Sequence, residues 1–139
     1  MVQTVVHLRT VRGASAAVGY SGAHTVIIDR SEKAGGLGIG FSGGELLFLA
    51  IGGCYVNDLY RESAKRNIEV ESVQASVEGD WGGEPVRAQN VSFSVHVEAK
   101  TTREEISDLI KHTDEVAEIP NSLRLGTKVS LSKFEAVSV

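Results

Sequence analysis

The chain of 139 residues contains one cysteine and two prolines. A single cysteine excludes an internal disulfide and a zinc site built on several cysteines. Long hydrophobic runs are missing as well. The longest, Leu46 to Ile51, falls far short of the ~18 residues a membrane helix needs. The N-terminal segment alternates too strictly for a signal peptide, so the expected compartment is the cytoplasm, where a lone thiol stays reduced. There is no excess of positive charge: the formal net charge is −4, which argues against nucleic acid or an anionic membrane as partner. His7, His24, His96 and His112 are dispersed, with no pair at i, i+4, so no metal site is expected, and nothing calls for a cofactor. What remains, 42% hydrophobic and 23% charged residues, is the composition of a folded globular chain. No linker, repeat or low-complexity segment interrupts it, and residues 1–139 read as one domain.

Hydrophobic periodicity sets the order of elements. Alternation over Val2 to Arg9 predicts a strand, and Ala14 to Gly19 and His24 to Asp29 predict two more around a turn at Tyr20 to Ala23. So short a connection requires antiparallel pairing. Ser42-Gly43-Gly44-Glu45 has the S-x-x-E spacing of a capping box and opens a helix expected to reach Asn67. Ile68 to Val77 and Val91 to Ala99 predict strands, with residues 78–85 as the loop or hairpin end between them. Thr102 to Glu105 opens a second helix whose buried side carries Ile106, Leu109, Ile110 and Val116. After a turn or short helix near Pro120, Lys128 to Val137 predicts a last strand. The fold class is α+β, in the order β-β-β-α-β-β-α-β, with antiparallel sheets around a long central helix.

Two features invite a chemical reading. Gly38-Ile39-Gly40-Phe41-Ser42-Gly43 matches the dinucleotide-binding pattern G-x-G-x-x-G. The strand before it ends too early, and no βαβ unit follows, so the glycines are expected to serve a flexible lid or a crossover loop, supplying positive φ and close packing. The second feature is Cys54, on the first helix, with Asn57 and Asp58 one turn away on the same face and Tyr55 beside it. A lone cysteine in an apolar run is more often packing than nucleophile. Gly52-Gly53 costs the helix about 1 kcal/mol per glycine, which suggests close approach of a second helix or a ligand. A thiolate needs a lowered pKa. Asp58 acts against that unless Arg61 neutralises it, and in a continuous helix the dipole gives Cys54 little help. A cation must then come from elsewhere, Arg9 or Arg12, unless the helix breaks at the glycines and Cys54 caps a new one.

The segment Glu45 to Cys54, ELLFLAIGGC, resembles the cysteine signature of the OsmC-like family of osmotically inducible and organic-hydroperoxide-resistance proteins. The resemblance extends to Gly22 through Gly36, to the segment after the helix, and to Glu115 through Leu123. It implies an intertwined homodimer with active sites at the subunit interface. It also implies thiol peroxidase chemistry, with Cys54 as the attacking sulfur and Arg12 near the place of the activating arginine. Two of the family's parts are missing. Alignment on Asn121-Ser122-Leu123 puts Ala117 where the family's second cysteine stands, and Gly43-Gly44 replaces the pair that carries the arginine's glutamate partner. Turnover would therefore need an external thiol.

Three functions are open on this basis. One is a one-cysteine reductase of organic hydroperoxides. Another is a non-catalytic module that binds a small apolar ligand in the dimer cleft, with Tyr55, Asn57 and Asp58 as candidate contacts. The third is a purely structural dimer.

Overall fold

A computed structural model describes all 139 residues. Its elements are β1 (His7–Thr10), β2 (Ala17–Ser21), β3 (His24–Ile28), a single 3-10 turn (Glu32–Ala34), α1 (Gly43–Lys65), β4 (Val70–Gly82), β5 (Arg87–Ala99), α2 (Arg103–Val116) and α3 (Glu118–Arg124). They fall into two compact units, residues 1–50 with 77–93, and residues 51–76 with 94–139.

In the first unit β1, β2 and β3 form an antiparallel sheet, with His7 opposite Tyr20 and Ser21 opposite His24. The turn from Ser21 to His24 needs a left-handed residue, and Gly22 supplies it at φ +57°. Beyond β3 the chain doubles back so that Phe41 bridges Ile28. The glycines of this crossover allow backbone to touch backbone. A β-carbon on Gly36 would sit 2.1 Å from the Arg30 carbonyl oxygen, and one on Gly40 would sit 2.4 Å from that of Ile27.

Asp29, 4% exposed, organises the same loop. It accepts hydrogen bonds from the Ser15 hydroxyl and from the amides of Arg30, Leu37 and Ile39. Within the glycine pattern the Ile39 amide bonds Asp29, the Gly38 and Phe41 amides bond the carbonyls of Arg30 and Ile27, and the Ser42 amide bonds Glu45, so the chain itself engages these amides. The capping box forms as read: the Glu45 amide donates to Ser42 Oγ at 3.1 Å, and the Ser42 amide donates to Glu45 Oε1 at 2.9 Å.

In the second unit the buried apolar side chains are Ile51, Tyr55 and Leu59 of α1, Leu109 of α2 and Ala117 between α2 and α3. Ile106, Ile110 and Val116 are half-buried beside Leu109, and the Thr102 side chain caps α2 by accepting from the Glu105 amide. The last turn of α1 closes with the Ile68 amide on the Ser63 carbonyl, while Asn67 takes φ +55°. α1 therefore ends at Lys65, and it runs through Gly52 and Gly53 without a break.

Other boundaries also differ from the sequence reading. Residues 1–6 and 128–137 are not strands. Alternation makes a segment able to pair, but a strand exists only where a neighbouring edge accepts its ladder, and in the single chain none does. The expected loop 78–85 is largely strand, since β4 continues to Gly82 and β5 begins at Arg87. Gly79 does not break β4, because it is where Phe48 and Val91 crowd the backbone: a β-carbon there would lie 3.0 Å from each of their side chains.

Candidate functional site around Cys54

Cys54 lies in the second unit, half-buried on α1. Asp58, four residues on, occupies the same helical face, and the Cys54 thiol donates to its Oδ2 at 3.5 Å. α3 supplies two backbone donors. The Ile119 amide donates to Cys54 Sγ at 3.4 Å, and the Glu118 amide donates to Asp58 Oδ2 at 3.3 Å. Arg61 closes the group, with Nη1 3.0 Å from Asp58 Oδ1 and 3.2 Å from Glu118 Oε1, and Nε 3.3 Å from Glu62 Oε1. Glu62, 5% exposed, also meets Lys65 at 3.1 Å and His112 at 3.6 Å.

The electrostatics follow from these contacts. Burial pushes the Cys54 thiol above its ordinary value; the Ile119 amide opposes that, and the Asp58 charge adds to it. Burial alone would lower the Arg61 guanidinium, but Asp58, Glu62 and Glu118 outweigh it and raise its pKa. The hydrogen bond from Lys65 holds Glu62 below the usual carboxylate range against the effect of burial, and Arg61 assists. At rest the site is a protonated thiol beside an ion-paired carboxylate. Nothing cationic touches the sulfur.

The residues singled out in the sequence are placed as follows. Asp58 meets Cys54 directly. Asn57 is exposed on the next face of α1. Tyr55 is 1% exposed and its hydroxyl donates to the Ile110 carbonyl at 2.9 Å. Burial, with Asp114 adding, pushes that phenol up to about 12. Its role is packing, and it has no face left for a ligand. Arg12 is exposed after β1 in the first unit and forms no ion pair. Ala117 is fully buried two residues before the amide that reaches Sγ. The contributions of Glu118 and Ile119 were not legible, because they come from sixty or more residues away.

A separate cavity of about 330 Å³ lies in the first unit, where Val6, Leu8, Tyr20, Val26, Ile28 and Leu46 line it. Near the start of α1, Phe48 and Trp81 stack with ring centroids 5.7 Å apart. The indole fills the space a side chain at position 44 would take, 2.7 Å from its β-carbon. No helix is long and apolar enough to cross a membrane.

The folded chain is similar to solved structures at low sequence identity. An OsmC-like protein from Mycoplasma pneumoniae superposes with a TM-score of 0.77 at 14% identity, over 90% of this chain and 89% of that one. An organic hydroperoxide resistance protein OsmC from Legionella pneumophila gives 0.62 at 16% identity, over 89% and 90%. The organic hydroperoxide resistance protein OhrB of Bacillus subtilis gives 0.57 at 20% identity, over 91% and 93%. Likeness at these identities speaks to the fold. A search of curated proteins finds no match. The family model described as OsmC-like protein matches residues 35–132, a span that holds α1, Cys54 and both later helices. The chain belongs to the OsmC-like protein family.

Proposed function

We propose that the protein reduces organic hydroperoxides through Cys54, as a homodimer that folds as one domain over residues 1–139 and works in the cytoplasm. The observation that supports this most directly is the placement of Cys54. In a chain of this family, its sulfur is held between a buried carboxylate and a backbone amide, and position 117 lies two residues before that amide. The thiolate attacks the distal peroxide oxygen: the S–O bond forms, the O–O bond breaks, and the alkoxide leaves and takes up a proton. The products are a Cys54 sulfenic acid and an alcohol. With alanine at position 117, an external thiol attacks the sulfenic sulfur and releases water, and a second thiol frees Cys54 from the mixed disulfide. The resemblance assigns the activating cation to Arg12 and the substrate to the dimer cleft, and helical spacing puts Asn57 and Asp58 next to Cys54.

A dimer is supported by surface area. The single chain exposes 10823 Å². A self-contained monomer of 14.8 kDa exposes only about 7,000 Å². Leu49, Ala50, Gly53, Asn57 and Tyr60 form an exposed face along α1, and nothing in the chain lies within 4 Å of a β-carbon at Gly53.

The test is stopped-flow mixing with cumene hydroperoxide and dimedone trapping. The expected result is a dimedone adduct on Cys54 that Cys54→Ser lacks. No adduct at millimolar peroxide removes the reading. The apolar cavity in the first unit favours a second reading, a module that binds an apolar small molecule without turnover. In that case Cys54→Ser retains full ligand affinity.

A further inference from the structure

We propose that the Asp58–Arg61 ion pair sets the reactivity of Cys54: the carboxylate keeps the proton on sulfur, and the guanidinium limits how strongly it does so. The inference rests on reading Cys54 as the reactive group. Geometry carries it. Asp58 is 6% exposed and its two oxygens are divided: Oδ2 faces the thiol at 3.5 Å, and Oδ1 faces Arg61 at 3.0 Å. Ionising the thiol would place two negative charges at hydrogen-bond distance in a half-buried site, which is unfavourable. Only two partial charges oppose that repulsion, the Ile119 amide on sulfur and the Glu118 amide on Asp58.

The full charges around the pair are Asp58, Arg61 and Glu62 on α1 and Glu118 on α3, with Lys65 and His112 reaching Glu62 from behind. Arg61 is shared among three carboxylates, so it neutralises Asp58 only in part. The pair therefore acts as an adjustable restraint. Anything that draws Arg61 towards Asp58 releases the thiol, and anything that draws it towards Glu118 or Glu62 tightens the hold. The consequence for function is a thiol latent at neutral pH until a cation reaches the sulfur or Asp58 is neutralised.

Cys54 is the only cysteine, so alkylation by neutral iodoacetamide, followed by mass spectrometry from about pH 6 to about pH 11.5, reads this thiol alone. Asp58→Asn removes the charge at constant shape. It is expected to move the midpoint down and raise the rate at pH 7 about tenfold. Arg61→Gln is expected to move the midpoint the other way and slow alkylation about threefold. A merely structural role would alter the plateau at high pH, which reports access, or would move both variants in the same direction. Either result, or an unchanged Asp58→Asn profile, overturns the proposal. Should Asp58→Asn fail to fold by circular dichroism, the Arg61→Gln direction decides alone. Opposite shifts without sulfenate formation in the wild-type protein would remove the peroxide reading and leave the ion-pair control standing.

Discussion

Asp29 shows how one buried carboxylate can organise an irregular loop. Burial disfavours its charge, but the amides of Ile39, Arg30 and Leu37 and the Ser15 hydroxyl outweigh that and hold its pKa below the usual range. A carboxyl with a folded pKa below its unfolded value of about 3.9 stabilises the fold above that value and loses the contribution as pH falls through the folded one. Asp29→Asn is therefore expected to lower Tm by several degrees at pH 7, and the gap from wild type should close as pH drops below about 4. Thermal melts of the two proteins across that range check it, and a gap independent of pH would contradict it. At this scale the sequence was informative where partners are near in the chain. Asp58 beside Cys54 follows from helical spacing, and so does Arg61 beside Asp58. The Asp29 contacts, made across eight and ten residues of irregular loop, have no such period to reveal them.

Among elements, the junction of α2 and α3 matters most for chemistry. Val116 ends one helix, Glu118 starts the next, and Ala117 between them takes an extended conformation at φ −64°, ψ 117°. That bend aims the amides of Glu118 and Ile119 at Asp58 and Cys54. A thiol introduced there should resolve a Cys54 sulfenate, forming a disulfide with loss of water. In Ala117→Cys, cumene hydroperoxide is expected to give chains two hydrogens lighter, with an intrachain disulfide and no free thiol, at a stability cost of about 1–3 kcal/mol from overpacking a filled site. Persistence of both thiols after peroxide treatment, by thiol counting and intact mass, would count against Cys54 as the attacking sulfur. The start of α1 was legible, because a capping box is a local code. The end of β4 was not. Residues 78–85 have turn composition, yet β4 runs on to Gly82 because it pairs with β5, and Phe48 and Val91 close over the glycine at position 79.

At the scale of the whole molecule, the single chain leaves too much apolar surface in water. Val129, Leu131, Phe134 and Val137 are all exposed in a segment that alternates like a strand, and Leu49 and Tyr60 are exposed on α1. Obligate homodimer interfaces bury about 2,000–5,000 Å² or more counted over both chains, so the excess of about 3,800 Å² on each chain is ample for such an interface. If α1 packs against its counterpart at Gly53, a large side chain there should break the dimer while leaving each chain folded, since nothing in the chain opposes it. Gly53→Leu is expected to convert a dimer to a monomer in light scattering after gel filtration, with far-UV circular dichroism unchanged. A Gly53→Leu protein that remains dimeric would move the interface elsewhere.

Local physics made much of this protein readable from its sequence: the capped helix, the alternating strands, the hairpin turn at Gly22, and a family signature ending on a lone cysteine. Each depends on residues within a few positions of one another, where periodicity and side-chain capping act directly on the backbone. Tertiary structure decided the rest. It brought the amides of Glu118 and Ile119 to Asp58 and Cys54, assigned the loop amides to Asp29, kept α1 whole through two glycines, and left residues 128–137 without a strand partner. The sequence alone determined that there is one thiol and where it stands in the chain. Folding made it a protonated thiol held by a carboxylate one turn along its own helix and by an amide from another helix, and only long-range packing brings that amide to the sulfur.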